Sequence, residues 1–237
     1  MAVVHGAAVV DAVVRAATWP APAPLGCGPR ARWATVGSRW HALDGWGQII
    51  GDAQVSSRSI YDVTRCAELS MSKVRGAGEN TLYVSIDSAW RPAAPAAFTP
   101  TAAAAAAFAT LIAARLDDRG VRHAALHPEC AALAERVRFF TGPAGARYAI
   151  GTSNVGYLLA KLDQNSWSPL ISEVTTPHEP DNYRCYRPVA VFDMNGDGLP
   201  EVVLRQSAGE AWGDLVVGRA GDGAWRVVAL SPGSALI

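Results

Sequence analysis

The chain has 237 residues, half of them hydrophobic, and balances 21 Lys and Arg against 21 Asp and Glu. Zero formal charge gives no broad field for phosphate backbones or anionic lipid, which argues against nucleic acid and membrane surfaces as partners. Its most apolar stretch, Ala102 to Ala107 with its neighbours, meets Arg115 before the ~20 residues that a spanning helix needs, so no membrane span is expected and the core is one large domain or two small ones.

The first fifteen residues lack a cationic leader, and His5, Asp11 and Arg15 interrupt any signal-peptide core. Ala8 to Val14 is β-branched enough for half of a hairpin with Val3-Val4, while a helix over Ala7 to Ala17 stays open as the rival. After the Pro-rich Trp19 to Leu25, short antiparallel strands are expected at Arg32 to Val36, Arg39 to Leu43, Gln48 to Val55, Ser59 to Val63, Glu68 to Val74 and Thr81 to Ile86. Gly37-Ser38, Asp44-Gly45 and Gly76 to Asn80 punctuate them. At Phe98 the pattern changes. Thr99-Pro100-Thr101 starts a helix, Ala102 to Leu116 propagates it and Gly120 stops it. A shorter helix is expected over Glu129 to Ala134, then strands at Arg136 to Phe140, Arg147 to Ile150, Gly156 to Leu162 and Ser168 to Val174, with a turn at Asp163-Gln164-Asn165.

The sharpest chemical signal lies near the carboxyl end, in Asp193-Met-Asn-Gly-Asp-Gly-Leu-Pro-Glu201. Asp193, Asn195 and Asp197 place side-chain oxygens at alternate residues, and Gly196 and Gly198 let the backbone curl about a common centre, as a hard cation such as calcium requires. An EF-hand would need a bidentate Glu at the twelfth position, where this chain has Leu204 inside the apolar run Val202-Val203-Leu204. A strand therefore follows the loop. The alternative is a bare hairpin turn, since Asn-Gly and Asp-Gly turn by themselves, but such a turn has no use for Asp193 and Glu201 in step around it.

This strand, acidic loop and strand resemble the FG-GAP or VCBS type of repeat over roughly residues 188 to 230. Pro188 to Phe192, Glu201 to Arg205, Trp212 to Val217 and Trp225 to Leu230 would be its four strands, with Gly221-Asp222-Gly223 as its last turn. The resemblance implies that Asp193, Asn195, Asp197 and Glu201 bind calcium through their side chains and Leu199 through its carbonyl. It covers one unit only, since no second D-x-N-x-D-G occurs and a propeller needs several blades. Because Val202 to Leu204 cannot face water as a run, the strand after the loop should be covered on both faces or closely packed, with the Ala102 to Leu116 helix packed outside that sheet.

Other motifs carry less. Gly151-Thr-Ser-Asn-Val-Gly156 has its second Gly one residue late for a nucleophile elbow. His123 and His127 are four apart but lack the Glu of a zinc helix, and His127-Pro128-Glu129-Cys130 has no Cys pair to complete a zinc site. Trp33, Trp40 and Trp46 form the closest cluster of the eight Trp, either a stacking platform for a carbohydrate or core. Asp44, Asp62, Glu68 and Asp87 could converge as glycosidase carboxylates only through the fold. Cys27, Cys66, Cys130 and Cys185 contain no C-x-x-C, which favours disulfides, Cys27 with Cys66 and Cys130 with Cys185, over buried thiols.

The expected fold is mainly β (α+β): antiparallel meanders with a helical insertion and a C-terminal unit like a propeller blade. The expected division is a β-rich subdomain over 1–96, the helical insertion over 97–138 and a β-rich unit with the calcium loop over 139–237. The function these features suggest is a secreted or periplasmic, calcium-stabilised module that binds a carbohydrate or protein ligand, cytoplasmic instead if the cysteines are reduced. The rival is an enzyme, a hydrolase or other, with a site built from distant loops.

Overall fold

The computed structural model describes residues 35–60, 67–77, 81–85, 95–117, 137–142, 145–153, 156–174, 185–194, 196–208, 211–230 and 234–235. Among these the protein is mainly β, with three antiparallel sheets and one helix. The first sheet holds β1 (Arg39–Leu43), β2 (Ile49–Ile60), β3 (Ala67–Met71) and β4 (Leu82–Ser85) in the order β3-β2-β1-β4. The second runs in sequence order: β5 (Ala96–Ala97), β6 (Val137–Thr141), β7 (Arg147–Thr152), β8 (Gly156–Asp163) and β9 (Ser166–Val174). The third is the meander β10 (Cys185–Phe192), β11 (Glu201–Ala208), β12 (Ala211–Arg219) and β13 (Trp225–Leu230), with β14 (Ser234–Ala235) added to β12. The helix α1 spans Ala102–Asp117.

Side-chain alternation turns these sheets into a stack. On β11, Val202 and Leu204 join Ile150, Tyr157 and Leu159 of the second sheet in one buried cluster. Val203, pointing the other way, joins Leu43 and Leu82 of the first sheet together with Val189, Phe192 and Val216. The third sheet is therefore sandwiched, and its apolar run is covered on both faces as its sequence requires. Helix α1 starts with a cap, Ala104 N donating to Thr101 Oγ1 at 3.2 Å, and lays Phe108, Leu111 and Ile112 on Ala149, Leu158 and Trp167. It thus covers the outer face of the second sheet, against β7, β8 and β9, and not the acidic-loop sheet as expected. The reason is steric: both faces of the acidic-loop sheet are already occupied by other sheets.

Two arginines brace the sheets, one within the third sheet and one, buried, between layers. Arg205 of β11 meets Asp214 of β12 directly across the ladder, Nε to Oδ1 at 2.9 Å and Nη2 to Oδ2 at 3.2 Å. Arg138 of β6 reaches out of the second sheet and donates to the carbonyls of Gly45 and Val189, at 3.2 and 3.1 Å, with its guanidinium 5.6 Å from the centroid of the Trp46 ring. Val191 N also donates to the Gly45 carbonyl, at 3.1 Å, so the β1–β2 hairpin tip docks against edge strand β10. Gly47 permits this approach: a Cβ there would lie 2.5 Å from Phe192 Cβ.

The strand boundaries hold two corrections. Thr35 and Val36 are not strand; Ser38 N returns to the Thr35 carbonyl at 3.0 Å, a turn that Gly37 completes at φ +91°. The break expected between Val55 and Ser59 is absent, because β2 runs through it and a bulge between Val55 and Ser57 absorbs the irregularity against β3. The expected elements over Val3 to Ala17 and Glu129 to Ala134 lie outside the described residues.

Candidate functional site

Phe192 and Glu201 are cross-strand partners, so the acidic loop leaves and re-enters the β10–β11 ladder at one rung. Its floor is apolar: Met194, fully buried, joins the cluster of Phe192, Val203 and Val216 and pins the loop to the core. Two carboxylates flank that anchor. Asp193, 4% exposed, accepts from Gly196 N through Oδ1 at 2.6 Å and from Gly198 N through Oδ2 at 2.9 Å. Glu201, 0% exposed, accepts from Met194 N through Oε2 at 2.6 Å. Gly196 and Gly198 sit at φ +78° and +80°, left-handed conformations that aim their N–H groups inward at Asp193.

At the rim, Asp197 is exposed and its Oδ1 accepts from Leu199 N at 2.8 Å, while Leu199 is half-buried. Asn195 lies outside the described residues. Asp193, Asp197 and Glu201 thus share one nine-residue turn, all oxygen donors of the kind a hard cation takes. Their described hydrogen bonds go to backbone N–H groups. Among the described residues no three His, Cys, Asp or Glu side chains are gathered into a metal-holding group.

The other candidates resolve unevenly. Gly151 to Gly156 connects β7 to β8, with Ser153 N donating to the Gly156 carbonyl at 2.8 Å, so it is a strand-to-strand connection and no elbow. Trp40 is fully buried in the core of the first sheet and its Nε1 donates to Ser38 Oγ at 2.9 Å. Trp46 packs against the buried layer between the second and third sheets, under Arg138. For Trp40 the core reading holds, and Trp46 is partly buried against the core. Asp44 caps its own turn, its Oδ1 accepting from Trp46 N at 2.8 Å and Gln48 N at 2.9 Å. Trp33, Asp62, Asp87, His123, His127, Glu129 and Cys130 lie outside the described residues, as do Cys27 and Cys66. Glu68 is in β3. Cys185, buried at the start of β10, is disulfide-bonded.

A polar cluster in the first sheet has no counterpart among the sequence motifs. His41 and Asp52 are paired across β1 and β2, with His41 Nδ1 2.8 Å from Asp52 Oδ1 and Arg39 Nη2 3.2 Å from Asp52 Oδ2. The His41 hydrogen bond holds the Asp52 carboxyl below its usual range; the charges of His41 and Arg39 add to it, and partial desolvation opposes them. His41 Nε2 is buried and has no hydrogen-bond partner among the described residues. Period-two alternation puts Arg39 and His41 on one face of β1, but only the ladder register reveals Asp52 opposite. Comparisons with family models, curated proteins and solved structures give no match to this chain.

Proposed function

We propose that this chain is a calcium-stabilised, β-rich binding or interaction module, with β10 to β13 acting as a single unit of the FG-GAP or VCBS kind. The observation that carries the reading is the burial of two carboxylates, Asp193 and Glu201, at the two ends of a turn that holds a third, Asp197. Burying carboxylates is costly, and a divalent cation is one way to offset it. The donor set fits: calcium would be held by the side chains of Asp193, Asn195, Asp197 and Glu201 and the carbonyl of Leu199, and would supply charge neutralisation and no chemistry. The chain's own part is to fix the β10–β11 connection so that surfaces built on the stack keep one shape for a carbohydrate or protein ligand. The disulfide at Cys185 agrees with a secreted or periplasmic setting.

Calorimetric titration with calcium at neutral pH, paired with melting curves, tests the reading. Binding heat and a raised Tm are expected, with stabilisation of about 2.7 kcal/mol at a hundredfold excess over Kd. No heat and no shift would overturn it.

A second reading, an enzyme, is favoured by one observation: His41 is oriented by Asp52 through Nδ1 while its buried Nε2 has no hydrogen-bond partner among the described residues. Turnover of chromogenic esters or glycosides that is lost in His41→Ala would select it.

A further inference from the structure

We infer that Gly218, on the strand next to the acidic loop's own, is a positioning residue for that loop, because the space left by its missing side chain is where Glu201 lies. A Cβ built on Gly218 would stand 2.9 Å from Glu201 Cγ and 3.5 Å from Glu201 Oε1, with Val228 Cγ2 at 3.3 Å on the other side. Gly218 lies inside β12, paired with Arg226 of β13, and it is not among the residues with positive φ. Its lack of a side chain is therefore a requirement of space and not of backbone conformation.

The consequence runs along a short chain of contacts. Glu201 enters the core beside Gly218, and its Oε2 takes the Met194 N–H at 2.6 Å. Met194 is the buried anchor of the loop, and Asp193 immediately before it organises Gly196 and Gly198. The missing Cβ of Gly218 makes room for a carboxylate side chain. A Cβ there is too close to Glu201 Cγ for both to stay in place and is tight against Val228 Cγ2, so one of these side chains must shift. The geometry assigns the yielding part to Glu201, since its Cγ is the nearer atom.

The effect on metal binding rests on the proposed calcium reading; the positioning of Glu201 does not, and the experiment separates them. Gly218→Ala, Glu201→Ala and the double variant are compared with the unaltered protein in chelator, by urea midpoint and by hydrogen exchange at the Met194 amide. Gly221→Ala is the control, because a Cβ there meets nothing. Gly218→Ala should lower the midpoint and speed Met194 exchange by about tenfold, yet add little once Glu201 is already Ala. If Gly218→Ala alone does not fold, recovery of a cooperative transition in the double variant establishes the same coupling, and failure to recover it rejects the coupling. An equal loss in both backgrounds would show that Gly218 serves Val228 or the strand, and unchanged Met194 exchange would show that Glu201 is not displaced; either overturns the inference. Calcium titration then completes the set, with affinity expected to fall about tenfold or more in Gly218→Ala. If the unaltered protein binds no calcium, the functional reading fails while the Gly218–Glu201 coupling stands or falls on the chelator data.

Discussion

Two hairpins of this protein begin with the same device and end differently. In the β1–β2 tip, Asp44 follows a strand and caps the N–H groups of Trp46 and Gln48 through one oxygen. In the β10–β11 loop, Asp193 follows a strand and caps Gly196 and Gly198 through both oxygens. A single half-exposed carboxylate is enough to close the first turn, and the turn's spare carbonyl, Gly45, is used for docking on β10. The second turn contains two acidic groups more, one of them, Glu201, without exposure. The Asp44 turn thus measures what a hairpin needs, and Asp197 and Glu201 are the excess that a cation would explain.

Calcium should widen the difference between the two. In chelator, Asp44→Ala and Asp193→Ala each strip two N–H groups of an acceptor and should cost about 1 to 3 kcal/mol alike, softened where water can replace the carboxylate. With calcium in hundredfold excess over Kd, Asp193→Ala should cost about 2.7 kcal/mol more, and Asp44→Ala should cost no more than before. Urea midpoints of the three proteins with and without calcium decide this. A gap that calcium leaves unchanged would reduce the acidic loop to another capped turn.

Glycine substitutions sharpen the contrast at the next level. Gly47 combines φ +72° with a Cβ position 2.5 Å from Phe192, so Gly47→Ala should cost about 2 to 4 kcal/mol through both backbone strain and lost docking. Gly198 has φ +80° and open space, so Gly198→Ala should cost about 1 kcal/mol in chelator. Thermal melts rank the pair, and equal losses would mean that the β1–β2 tip does not bear on β10.

Sequence patterns revealed the parts of these hairpins and not their meeting. The acidic turn, the strands on either side of it and the Thr101-capped helix are each specified locally, by residue type, capping chemistry and glycine placement. That Val202 to Leu204 is covered on both faces or closely packed followed from its unbroken apolar run. What covers it did not, since Ile150 and Leu43 are far away in the chain and look like any strand residue. Arg138 gave no signal either: it bonds to carbonyls, 93 positions away at Gly45, and carbonyls carry no sequence identity. The separate strands expected up to Val55 and from Ser59 are one, because a bulge takes up the irregularity between them.

Alkali should probe the layer behind the acidic-loop sheet. Tyr157 is fully buried and donates its hydroxyl to Glu173 Oε2 at 2.8 Å; burial first, and the Glu173 charge after it, pushes its pKa far above the ordinary 10.0. Burial raises Tyr148 as well. The unfolded chain ionises these phenols where the folded chain retains the protons, so their stabilisation is full below pH 10 and declines above it. The slope is about 1.4 kcal/mol per pH unit for each phenol that stays protonated. Urea midpoints from about pH 8 to about pH 11 should fall, and Tyr157→Phe should flatten the fall by one phenol's share.

Acid should reach the other region, and more weakly. Asp52 is held below its ordinary 3.8 chiefly by the His41 hydrogen bond, and a carboxyl with a depressed folded pKa stabilises the fold above the unfolded value and loses that contribution as pH falls through the folded one. The side chains of Asp52 and Arg39 are 47% and 66% exposed, so water and salt screen the cluster and its effect should be the smallest of these. It should also be local. Below about pH 4, amide exchange in β1 and β2 should quicken as Asp52 takes up its proton. Asp52→Asn should remove the β1–β2 response and leave Met194 unchanged. If both hairpins loosen together at one midpoint, and Asp52→Asn shifts both, then the docked tip and the acidic loop are one cooperative unit, and the contrast between the two turns belongs to their chemistry alone.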